Sequence, residues 1–121
     1  MPHFVLLLHA EPDRLTRVSP EELQSIAARY AAWSQKITAA GQRVGGQKLE
    51  DGTGRQMRRR DGRTLVTDGP FVEAKEAVGG YFIIKADSFD HAVDIAGDCP
   101  HLDYGTIEVR QTQATTTGDL K

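Results

Sequence analysis

Two stretches of this chain are apolar on both faces of a strand, and that leaves few folds open to it. In "HFVLLLH", His3 to His9, Val5 and Leu7 alternate with Phe4, Leu6 and Leu8. In "GGYFIIKA", Gly79 to Ala86, Tyr81 and Ile83 alternate with Phe82 and Ile84. Successive side chains of a strand point to opposite faces, so neither segment has a side that suits water. Both runs are too short to be helices of their own, and both read as central strands that need a layer above and a layer below.

The remaining elements supply one such layer. "SPEE" at Ser19 has a serine cap, a proline at the first helical position and Glu22 placed to reach back, the capping-box pattern. A helix is predicted from there to Ala40, with Gly41 as its stop. Leu23, Ile26, Ala27, Tyr30, Ile37 and Ala40 share one face of it, with Trp33 at the margin. Ser88 caps a second helix, Phe89 to Gly97, expected to bury Phe89, Ala92, Val93 and Ala96 and to end at Cys99-Pro100. "RVGGQKLE" reads as a weak strand, and Asp51 to Gly54 as a turn. Gln56 to Arg60 and Arg63 to Thr67 form a hairpin about Asp61-Gly62, a pair suited to positive φ angles. Ile107 and Val109 alternate with Glu108 and Arg110 in a last strand.

This order predicts an α+β fold, a ferredoxin-like split βαβ sheet with an added β-hairpin, occupying residues 1–112. Residues 113–121 have no apolar period and read as a flexible C-terminal tail. Two helices cover one face of such a sheet. The other apolar face is expected to meet the same face of a second copy, so the chain is predicted to be a homodimer, with room for a small-molecule ligand between the sheets.

Composition narrows the function classes. At 121 residues, 39% hydrophobic and 26% charged, the chain is about one ordinary globular domain. One cysteine, Cys99, excludes an internal disulfide, and no Cys and His cluster has zinc-ligand spacing; no cofactor is implied. No segment reads as a membrane span or signal peptide, and a cytoplasmic location is expected. The formal net charge of -2 gives no global attraction to nucleic acid. Arg55, Arg58, Arg59, Arg60 and Arg63 do crowd the hairpin, but alternation divides them between faces and no aromatic residue is interleaved, so nucleic acid is an unfavoured partner.

The link "TDGPFVEAKEAVGG" is unusually charged for a connection between two apolar strands. Asp68 is either a turn former that accepts from a following N–H or an outward proton acceptor. Phe71 caps the core or lines a pocket. Glu73, Lys75 and Glu76 are a solvated face, or else Lys75 stabilises an oxyanion while a carboxylate of the run moves a proton. Gly79 and Gly80 imply a bulge or a close approach. Tyr81 offers a hydroxyl to the inter-sheet side. His9 ends the first strand on the Val5 and Leu7 face, as a structural histidine or a base titrating near neutrality. His3, His91 and His101 read as exposed or terminal, and Cys99 as a small buried hydrophobe.

"DGRTLVTDGPFVEAKEAVGGYFII", with "CP" after the second helix and "GTIEVR" beyond it, resembles the DGPF, or YCII-related, family from the first strand to Arg110. The resemblance implies a dimeric ferredoxin-like α+β barrel and no settled activity, with some members associated with extracytoplasmic-function sigma factors. Relatives in the YCII branch have a proposed His-Asp pair, with histidine on the first helix and aspartate in an Asp-Pro step. This chain has no histidine from Ser19 to Ala40 and has Cys99-Pro100 at that step, so the pair does not carry over. The reading that follows is a cofactor-free small-molecule enzyme of the proton-transfer, isomerase or lyase type, with Asp68 or His9 as base and Phe71, Lys75, Glu76 and Tyr81 binding substrate. The alternative is a non-catalytic ligand-binding or regulatory module.

Overall fold

The computed structural model describes residues 1–11, 18–50, 53–68 and 77–113. Its elements in chain order are β1 (His3–Ala10), α1 (Pro20–Ala39), β2 (Arg43–Lys48), β3 (Arg55–Arg60), β4 (Arg63–Asp68), β5 (Ala77–Lys85), α2 (Phe89–Ala96), a 3₁₀ turn (Pro100–Asp103) and β6 (Thr106–Gln111). Four strands form one antiparallel sheet in the order β2-β5-β1-β6, and β3 pairs with β4 in a separate ribbon. The two strands read as two-faced, β1 and β5, are the central pair. The α+β ferredoxin-like plan with an added hairpin is therefore the fold of this chain, and the link from residue 69 to residue 76 and the residues from 114 onward lie outside the described part.

Local chemistry accounts for the element ends. The Ser19 hydroxyl accepts from the Glu22 N–H at 3.2 Å, with Pro20 at the first helical position and Glu21 and Glu22 in the first turn, where the helix dipole favours acids. The Ser88 hydroxyl does the same for the His91 N–H at 3.1 Å. The β3–β4 hairpin turns at Asp61 and Gly62, with φ of 52° and 76°, the two positive angles that a two-residue loop of matching twist requires.

The core lies between the helices and one face of the sheet. Phe4, Leu6 and Leu8 of β1 are buried with Ile84, Trp33, Ile37, Ala92, Ile95, Ala96 and Cys99. Phe82 packs edge-on against Trp33, with ring centroids 4.9 Å apart, and partly buried Ile107 and Val109 complete the layer from β6.

Three expectations for this layer need correction. Trp33 is at the centre of the helix–sheet contact rather than its margin, because Trp33 and Ile37 are the α1 residues that stand over Phe82 and the sheet, while Leu23, Ala27 and Ala40 are exposed. In α2 the buried stripe is Ala92, Ile95, Ala96 and then Cys99, an i, i+3, i+4, i+7 series. Phe89 and Val93 are at its edge and remain 47% and 50% exposed, although the Phe89 ring still meets Phe4 edge-on at 5.3 Å. His101 is buried rather than exposed, held by the 3₁₀ turn against α1 and the end of β1.

Burial pushes the Cys99 thiol above its ordinary pKa, against a smaller opposing pull from a backbone hydrogen bond involving His101. A thiol that ionises later in the folded than in the unfolded chain adds stability present below the unfolded pKa and lost as the pH rises past it. Denaturant melts should show stability falling as the pH rises above the ordinary thiol pKa of about 8.5, and falling less in Cys99→Ala. In the core itself, Trp33→Ala should cost about 3–5 kcal/mol in the same melts, whereas Val93→Ser should stay within about 0.5 kcal/mol.

Candidate functional site

The sheet face turned away from the helices carries two rows of side chains. Gln47, Tyr81, Leu7 and Glu108 are register partners across β2, β5, β1 and β6, and Gly45, Ile83, Val5 and Arg110 form the next row. Partners directly opposite in an antiparallel ladder share a face, so the centre of this surface is Val5, Leu7, Tyr81 and Ile83. All four are half-buried, and among the described residues both helices pack on the opposite face. The face is apolar at its middle and polar along β6.

At one end of this surface, His9 Nε2 is 3.0 Å from Glu108 Oε1, with side-chain exposures of 25% and 46%. Arg110 stands 3.8 Å from the other carboxylate oxygen of Glu108. An ionised glutamate only accepts, so His9 carries its proton on Nε2, and the Nδ1 lone pair is the basic position of the ring. His9 thus has the arrangement of an oriented base, with one nitrogen fixed by a carboxylate and no contact to the other among the described residues.

The other candidates are distributed as follows. Tyr81 is on the same face as Leu7, as the alternation with Phe82 required. Gly79 has no partner in the β1–β5 register, which passes from Leu8 and Gly80 to His9 and Val78, so the structural reading of the glycine pair as a bulge is the one observed. A side chain on Gly80 would also stand 3.1 Å from the Gln47 carbonyl. Asp68 ends β4, its side chain 90% exposed and 3.4 Å from Arg55 of β3. It is held by the ribbon and not by the four-stranded sheet, and no described contact joins it to His9. Phe71, Lys75 and Glu76 lie outside the described residues.

A second polar cluster was not apparent from the sequence. Tyr30 of α1 and Nδ1 of His101 are 2.8 Å apart, and His101 Nε2 is 2.8 Å from the His9 carbonyl oxygen. Beside them Arg29 donates to the Tyr104 hydroxyl at 2.7 Å and pairs with Asp103 at 2.6 Å. The Asp103 hydrogen bond, and then the charge of Tyr104, hold the Arg29 guanidinium above its ordinary pKa. A closer reading of Gly105 would have been the available signal. A side chain there would collide with the His9 carbonyl oxygen and stand 2.8 Å from His101 Nε2, so the glycine leaves the space that this contact occupies.

A YCII-related domain model matches residues 3–114, which is nearly the whole chain. This protein belongs to the YCII-related family. An uncharacterised protein of Rhizobium meliloti (strain 1021) is 29% identical over 120 residues, covering 97% of each chain. The family match runs from the first residue of β1 to beyond β6, so both the open sheet face and the Tyr30 and His101 cluster lie inside it. Among the described residues no group of His, Cys, Asp and Glu has the arrangement of a metal site, and no helix is long and apolar enough to cross a membrane.

Asp68 makes one long, exposed ion pair, which contributes little to folding. Asp68→Asn should therefore leave the unfolding midpoint unchanged, so that any loss of ligand binding in this variant reads directly on chemistry. Circular dichroism melts of the two proteins check it.

Proposed function

We propose that this YCII-related protein is a homodimer, joined through the open faces of its four-stranded sheets, that binds a small polar or aromatic molecule between them. The observation that carries the reading is the His9 and Glu108 pair, 3.0 Å apart, at the border of a half-buried apolar surface on the sheet face opposite the described helices. Pairing two such faces buries Val5, Leu7 and Ile83 at roughly 25 cal/mol per Å² of apolar area removed from water. It also lowers the dielectric around His9, which strengthens its interaction with Glu108.

The chemistry this supports is cofactor-free proton transfer of the isomerase or lyase kind. His9 Nδ1 takes a proton from the substrate, Glu108 steadies the imidazolium that results, and the Tyr81 hydroxyl binds a substrate oxygen. Asp68 and the residues Phe71, Lys75 and Glu76 of the following link are proposed to close the site, with Asp68 as the other possible base and Lys75 facing the developing oxyanion.

A second reading, a binding or regulatory module, has one observation in its favour. The β3–β4 ribbon exposes Met57 and Val66, which are cross-strand partners at 69% and 51% exposure, in the midst of its arginines. An apolar patch of this kind outside the sheet face suits a protein partner.

Native mass spectrometry of gently purified protein tests the first reading. The expected species is a dimer that retains a defined small mass, lost on His9→Ala with the dimer intact. Leu7→Asp places a charge at the centre of the apolar face and should convert the dimer to monomer. A wild-type monomer at micromolar concentration would overturn the interface and the pocket with it, and a ligand-free dimer would favour the regulatory reading.

A further inference from the structure

The β3–β4 ribbon carries a charge opposite to that of the rest of the chain. From Arg55 to Asp68 it holds five arginines and two aspartates, a net charge of +3 in a chain whose total is -2, so the remainder carries -5. The register sorts these side chains by face. Arg55, Met57 and Arg59 share one face with their partners Asp68, Val66 and Thr64, and Arg58 and Arg60 share the other with Leu65 and Arg63. Arg60 and Arg63 are thus like charges directly across a ladder, which destabilises it unless an acidic group comes near. Among the described residues Arg55 has Asp68 at 3.4 Å, whereas Arg58, Arg59, Arg60 and Arg63 have no acidic partner.

The outer face of α2 has the complementary pattern. Between Asp87 and Asp98 there are four aspartates and no lysine or arginine. Asp98 is taken by Lys36 at 2.7 Å and Asp87 is 3.6 Å from His91, but Asp90 and Asp94 have no partner among the described residues. Phe89 and Val93 are one helical turn apart and exposed, and Asp90 and Asp94 follow them by one residue each, so an apolar pair and an acidic pair run side by side along the helix. On the ribbon, exposed Met57 and Val66 are likewise flanked along β3 by Arg55 and Arg59. The spacings agree, at about 7 Å for two residues of strand and about 5.4 Å for one turn of helix, and arginine side chains are long enough to take up the difference. Among the described residues no hydrogen bond or ion pair joins ribbon and helix within one chain.

We propose that the arginine ribbon is a docking arm for a second copy of this chain, and that it seats on the outer face of that copy's α2. Met57 and Val66 cover Phe89 and Val93, while Arg55 and Arg59 stand against Asp90 and Asp94. Both surfaces are unpartnered apolar patches of modest size, and opposite charge around them fixes the register and speeds encounter more than it adds affinity. A phosphate polymer is the poorer fit to the same arginines, because the remainder of the chain, at -5, repels it. Neither surface belongs to the open face of the four-stranded sheet, so the contact does not rest on the proposed sheet dimer.

Disulfide trapping between two full-length variants, Met57→Cys and Val93→Cys, tests the contact, with the linked peptides identified by mass spectrometry. Both positions are exposed, so neither change should disturb folding. In an equimolar mixture under mild oxidation the mixed link should form about tenfold faster than either self-link. It should slow as salt rises from about 0.1 M to about 1 M, where the screening length falls from about 10 Å to about 3 Å. Adding Arg59→Glu to the first variant should remove the preference, and adding Asp90→Arg and Asp94→Arg to the second should bring it back. On a Leu7→Asp background, which opens the sheet interface, the mixed link should persist, so the two interfaces fail or survive separately. Equal rates for mixed and self-links, or a link lost with Leu7→Asp, would overturn the proposal. So would a link that forms only inside a chain carrying both cysteines at high dilution, which would place the ribbon on its own helix. Absence of the mixed link together with salt-sensitive binding of a fluorescent DNA duplex would overturn it in favour of nucleic acid.

Discussion

The structure depends on a mismatch between what the sheet needs and what the helices supply. β1 and β5 are apolar on both faces, and α1 and α2 form a single layer. The face they cover becomes the core, where Phe4, Leu6, Ile37 and Ile84 are fully enclosed. The order β2-β5-β1-β6 follows from placing the two most apolar strands in the middle and giving the edges to strands that carry glycine or charge. The ribbon of β3 and β4 is an excursion from this plan. Its side chains are almost all exposed, and among the described residues its strands pair with each other and with no other strand.

The C-terminal end of β1 is where the two sides of the sheet meet in one residue. The His9 side chain lies with Glu108 on the open face, while the His9 carbonyl accepts from His101 on the other side. A single peptide thus joins two imidazoles in different surroundings, one partly exposed beside a carboxylate and one buried between a hydroxyl and a carbonyl. Gly105 makes this possible, since any larger residue would collide with the His9 carbonyl oxygen and crowd His101 Nε2. Family membership covers all of these residues without assigning any of them a reaction.

Much of the architecture was legible in the chain. Alternation identified β1 and β5 as central strands, Ser19 and Ser88 marked both helix starts, and Asp61-Gly62 marked the hairpin. The errors share a cause. Trp33, Phe89 and Val93 were misplaced because helical spacing defines a stripe but not which edge of the stripe meets the neighbouring sheet; the contact of Trp33 with Phe82 decides that. Nothing in the local sequence marks His101 as buried, because it follows a helix end with no periodic neighbours. Its partners Tyr30 and His9 are 71 and 92 residues away in the chain, so no local pattern announces them.

The sequence by itself determined the element order, the capped helix starts, the hairpin turn and the two-faced central strands, because each follows from side-chain alternation or from a cap within a few residues. It also carried the family, through motifs read in order. The three-dimensional arrangement decided which polar groups meet. The pairing of His9 with Glu108 requires β1 beside β6, and the pairing of Tyr30 with His101 requires α1 against the 3₁₀ turn. A hydrogen bond is made or lost within a few tenths of an ångström, and only packing between distant segments sets positions to that tolerance.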